Sequence, residues 1–132
     1  MTRAAAAAVF LLAAFAAAAP PDSAARSVTR KGWFGDADCS RSKVAAGSEV
    51  GPNGQECTRR CIRNGVPVVF IDEQAKSLYR VDNPKASEGI ESDYVEMVGT
   101  VDEAAKTVHV DSVRVLEKYV AKCSVPPPAA KN

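Results

Sequence analysis

The chain opens on an unbroken apolar run from Ala4 to Ala19, built of alanine, valine, phenylalanine and leucine behind Met1-Thr2-Arg3. A cationic start, an apolar stretch and small residues at its end form the pattern of a secretory signal. The run is about 16 residues long, short of the roughly 20 that cross a bilayer core. Pro20-Pro21-Asp22 follows it, with no basic cluster to hold it in a membrane. Residues 1–25 are therefore expected to be a cleaved leader, cut after Ala18 or after Ala25, leaving no membrane span.

Beyond the leader the pattern becomes segmented. Residues 28–35 (VTRKGWFG) read as a first strand, and the polar, glycine-rich residues 36–53 lack any period and predict a loop. Asn53 is placed to cap a short helix running to Arg63, with Gly65 where a left-handed helix end is wanted. On that helix Cys57, Cys61 and Ile62 share one face, and Arg59, Arg60 and Arg63 lie towards the other. Residues 66–71 (VPVVFI) are a continuous run rich in β-branched side chains, which predicts a buried strand. Residues 77–81 return as its hairpin partner, and residues 83–93 form a polar connection with one helical turn.

The last two strands carry more detail. Over residues 94–101, Val95, Met97, Gly99 and Val101 fall on one side. Over residues 107–116, Val108 and Val110 share one parity, whereas Val113 and Val115 share the other. A one-residue switch at Asp111-Ser112 is what a β-bulge produces, and Gly99 offers a place to bend. Five strands, a bulge, an interior glycine and one short helix between strands one and two predict a mainly β domain closed into a small barrel. An open antiparallel sheet with the helix on one face is the competing arrangement. The domain is expected over residues 26–123, and the proline-rich residues 124–132 are expected to form a disordered tail.

The fold picture sharpens through a resemblance. The segments Gly32-Trp33-Phe34-Gly35-Asp36-Ala37-Asp38-Cys39 and Cys57-Thr58-Arg59-Arg60-Cys61-Ile62-Arg63-Asn64-Gly65 carry it. It continues through Val68-Val69-Phe70-Ile71 and Val98-Gly99-Thr100-Val101-Asp102 to Val108-His109-Val110. In these the chain resembles small exported bacterial proteins of uncharacterised function that are predicted to form OB-like (oligonucleotide/oligosaccharide-binding-like) barrels. The resemblance implies a five-stranded OB-like barrel and an exported location, and no activity. Ser40 stands where such proteins often have glycine, and residues 41–56 lack the histidine they often carry.

Cysteine and charge narrow the chemistry. Cys39, Cys57, Cys61 and Cys123 are even in number in a small chain read as exported, which favours two disulfides. Helix positions four apart hold their Cβ atoms about 6 Å apart, beyond the roughly 3.5–4.5 Å of a disulfide. Cys57 and Cys61 are thus expected to pair elsewhere, one with Cys39 and the other with Cys123. No metal or cofactor is expected, and thiolate binding of copper is the alternative. The formal net charge of +1 argues against a nucleic-acid binder, which would show a basic excess.

The sole histidine, His109, lacks an evident nucleophile, and the acids Glu88, Glu91, Asp93 and Glu96 read as a hydrated loop, so no enzyme is expected. The leading reading is a periplasmic or secreted monomeric binding module whose ligand or envelope partner is unknown. Its candidate binding residues are the aromatics Trp33, Tyr79 and Tyr94, expected to be partly exposed, and the basic group Arg59, Arg60 and Arg63. A structural or stress-related envelope protein is the other class considered.

Overall fold

The segmented strand pattern folds as a single ring of strands. A computed structural model describes residues 26–48 and 50–121. The expected leader, Cys123 and the expected tail lie outside the described residues. Five strands, β1 (Arg26–Asp36), β2 (Val68–Asp72), β3 (Ser77–Val81), β4 (Tyr94–Asp102) and β5 (Thr107–Glu117), carry the fold. Two helices, α1 (Ala37–Ala45) and α2 (Gln55–Arg63), stand between β1 and β2, and a 3₁₀ turn at Pro84–Ser87 connects β3 to β4.

β1 joins the two halves of the sheet. It pairs antiparallel with β4 along Arg26–Trp33 and with β2 along Gly32–Asp36. β2 and β3 form an antiparallel hairpin, β3 runs parallel to β5, and β5 pairs antiparallel with β4. The five strands therefore close on themselves in the order β1-β2-β3-β5-β4. Closure depends on a bend where β1 changes partners. A Cβ at Gly32 would lie 1.9 Å from the Ile71 carbonyl oxygen, so only glycine lets the two backbones approach there.

The predicted parity switch in β5 is present. Val98 pairs with Ser112 and Gly99 with Val110, which leaves Asp111 as the extra residue of a bulge. Val108 and Val110 are buried before the bulge, and Val113 and Val115 pack against the same core after it. Along β4, Val95, Met97, Gly99 and Val101 are buried and their neighbours half-buried, as period two requires. Phe34, Phe70, Tyr79, Val95, Met97 and Val108 fill the interior. A second cluster of Ala37, Val69 and Ile71 lies on the other face of β2. Covered on both faces, β2 has no exposed position, which explains its unbroken apolar run.

Two expectations about the helices need correction. Residues 36–53 were expected to be a loop and one helix was expected; α1 occupies much of that stretch. It buries only Ala37 and Ser40, so its sequence has no apolar period to read. What starts it is Asp36, whose Oδ1 accepts the Cys39 backbone N–H at 2.9 Å. Nor does Asn53 cap α2: Gly54 holds the N-cap position without a side-chain bond. Asn53 is buried instead, and its amide donates to Ser40 Oγ at 3.0 Å and to Asp36 Oδ2 at 3.5 Å. Gly65 ends α2 in the left-handed conformation, with φ of 91°.

Candidate functional site

The ring places two groups of chemically capable residues at separate positions. The first is a cleft of about 780 Å³ lined by Trp33, Glu73, Ser92, Tyr94, Glu117 and Tyr119, among others. Trp33 and Tyr94 are register partners on β1 and β4, and their ring centroids lie 5.1 Å apart. Both are half-buried.

The connection before β4 forms the wall beside them. Ser92 has a positive φ of 66°, unusual for a residue with a side chain. It is 1 % exposed, and its hydroxyl has no hydrogen-bond partner among the described residues. Asp93, also buried, accepts Lys118 Nζ at 2.9 Å and the Tyr119 backbone N–H at 2.8 Å, which holds the end of β5 over the cleft. Glu91 is buried too, accepting Arg59 Nε at 3.0 Å. These two acids are therefore structural anchors, not part of the hydrated loop expected of them; Glu88 is exposed and fits that reading.

Tyr94 donates its hydroxyl to Glu73. That hydrogen bond, with burial and the Glu73 charge behind it, holds the phenol up to about 12. A raised phenol value favours the neutral form in the folded state. The associated stability is complete below the ordinary value of about 10 and is lost as pH rises through about 12. An ultraviolet pH titration is thus expected to show a tyrosinate step near pH 12 that Tyr94→Phe abolishes. A step that survives in the variant would show that another tyrosine supplies it.

The other candidate residues fall elsewhere. Tyr79, expected to be partly exposed, is 2 % exposed inside the ring, with its hydroxyl turned out to Glu103 at 3.0 Å. Its cross-strand partner Phe70 and the closed ring cover the faces that an open sheet would have left free. Arg59 pairs with Glu91 and Arg63 with Glu56 at 3.3 Å, and Arg60 is exposed on the same helix. None of the three lines the Trp33 cleft. His109 lies exposed on β5, its Nδ1 2.7 Å from Asp82 Oδ1.

The second group is the cysteines. Cys39, Cys57 and Cys61 carry free thiols, against the expectation that Cys39 bridges to one helix cysteine. Their sulfur atoms all lie within 4.8 Å of one another. Cys57 and Cys61 share one face of α2 as expected and do not pair with each other; that face meets Cys39 in the first turn of α1, and the expected bridge to Cys123 lies outside the described residues. Burial, and after it the Asp36 charge and hydrogen bond, raises the Cys39 thiol to about 11. Burial, Asp36 and Cys57 raise Cys61 in the same direction. Such thiols are poor nucleophiles at neutral pH, which weighs against redox catalysis. Among the described residues, no helix is long and apolar enough to cross a membrane. No protein-family model, curated protein or solved structure matches this chain.

Proposed function

We propose that this protein is an exported binding module on an OB-like barrel, holding a neutral polyhydroxylated ligand, an oligosaccharide, against Trp33 and Tyr94. Support for the barrel reading comes from the closed strand order, the parallel β3–β5 pair and the β5 bulge. Support for export comes from the apolar run at Ala4–Ala19.

The observation that carries the ligand class is the aromatic pair on the cleft wall, whose half-buried rings offer an apolar surface for stacking. Ser92, whose buried hydroxyl has no partner among the described residues, backs the same wall. Glu73 and Glu117 add acceptors for further hydroxyls, and the cleft's lysine, Lys118, is already paired with Asp93. Two acids and a neutralised lysine disfavour phosphates and other anions. A sugar ring presents an apolar face to stack and hydroxyls at its edge, which matches both halves of the cleft.

Trp33 is the only tryptophan, so its fluorescence reports the cleft directly. Titration with chitotriose, cellotriose and maltotriose is expected to shift its emission saturably for at least one of them. Tyr94→Ala is expected to weaken that ligand at least tenfold, about 1.4 kcal/mol of lost stacking. Binding of a single-stranded oligonucleotide in preference to all three sugars would overturn the proposal, as would an unchanged emission with each.

A further inference from the structure

We propose that Cys39, Cys57 and Cys61 form an all-sulfur binding site for a soft monovalent metal ion, copper(I), separate from the aromatic cleft. The site draws on two helices that the sequence separates by a loop. Cys39 is the third residue of α1 after its cap Asp36, and Cys57 the third residue of α2 after its cap Gly54. Both sulfurs thus stand in the first turns of their helices, and the Cys39 backbone N–H there is already held by Asp36 Oδ1. Cys61 lies one turn further along α2, on the same face as Cys57.

A buried carboxylate holds the two helices in this relation. Asp36, 0 % exposed, caps α1 with Oδ1 and accepts Thr58 Oγ1 of α2 at 3.4 Å with Oδ2. Through the same Oδ1 bond it fixes the backbone of Cys39 itself. Outer-shell groups of this kind orient metal ligands.

The donor set selects the ion. Three thiolates around one metal at about 2.3 Å would have their sulfurs about 4 Å apart, and the 4.8 Å limit here requires little movement. Among the described residues, no histidine or carboxylate joins the three sulfurs in the group. Three soft donors without a hard one suit copper(I), whereas structural zinc takes four ligands. An odd number of thiols also leaves one unpaired in any disulfide formed within the group. Cys57 is exposed, which supplies the entry path. On binding, each thiol gives up its proton and forms one sulfur–copper bond; copper enters and stays as copper(I), with three protons released.

The experiment uses the reduced full chain and its Cys123→Ser variant, titrated anaerobically with copper(I) supplied as the acetonitrile complex against a chromophoric copper(I) chelator. One copper per chain is expected in both, with a thiolate-to-copper charge-transfer band in the ultraviolet. Cys39→Ser, Cys57→Ser and Cys61→Ser are each expected to lower affinity about 100-fold or more, since even outer-shell losses reach that size. Circular dichroism of each variant establishes that it is folded, so a lost site is not mistaken for a lost domain. Full affinity in any of the three single variants overturns the proposal. So does tighter binding of zinc(II) than of copper(I), or a disulfide joining Cys39 to Cys57 or Cys61 in protein isolated without reductant.

Discussion

Asp36→Ala is expected to cost about 3–4 kcal/mol and to lower the melting temperature by about 12–32 °C, at about 4–8 °C per kcal/mol for a domain of this size. Three losses combine. An N-cap carboxylate replaced by alanine costs about 1 kcal/mol. Buried donors left without an acceptor cost about 1–3 kcal/mol each, and Asp36 serves both Asn53 and Thr58. The third loss is the tie between the helices, because Asp36 joins the start of α1 to Thr58 of α2. Asp36→Asn keeps the shape and one acceptor, and is expected to lose about half as much. Thermal unfolding followed by circular dichroism checks both, and a drop below 3 °C for Asp36→Ala would show that the carboxylate does not bind the helices to the sheet.

Gly32→Ala is expected to be comparably severe, about 3 kcal/mol, for a different reason. The added methyl meets backbone, the Ile71 carbonyl at 1.9 Å, and no side chain can move aside to admit it. Overpacking typically costs 1–3 kcal/mol, and a clash with a paired strand belongs at the top of that range. β1 must then shift against β2 at the residue where it also pairs with β4, so the ring opens at its seam. Gly51→Ala serves as the control: a Cβ there meets nothing within 4 Å, and the change is expected to be neutral or to stabilise by up to about 1 kcal/mol. Equal denaturation midpoints for Gly32→Ala and the parent chain would contradict the close-approach account.

The legible parts of this chain are those where burial has a local period. The alternation of Val95, Met97, Gly99 and Val101 marks a strand with one wet face, and its inner positions are the buried ones. The parity switch at Asp111-Ser112 locates the bulge to the residue, because a one-residue insertion inverts every later side chain. The unbroken run in β2 is legible for the opposite reason, being covered on both faces. Helix α1 was not legible. It is held by a cap and two small buried residues, and neither produces a period.

The candidate sites were legible only as residue types. Trp33 and Tyr94 were recognisable as aromatics, but their stacking depends on β1 and β4 lying in register. Ser92 and Glu73 carried no signal of their own; their roles come from standing beside that pair. Tyr79 looked equivalent to Tyr94, yet one faces the ring interior and the other the cleft. Arg59, Arg60 and Arg63 form a patch in sequence, while the fold spends two of them on carboxylates.

The sequence by itself determined the strands, their inward faces and the bulge, since each follows from alternation within a few residues. Tertiary structure decided the closure of the ring, the existence of the aromatic cleft and the meeting of three thiols. Each of those joins residues tens of positions apart, Trp33 with Tyr94 and Cys39 with Cys57 and Cys61. Such pairs are chosen by strand order and by a buried carboxylate at Asp36, and no local pattern records either.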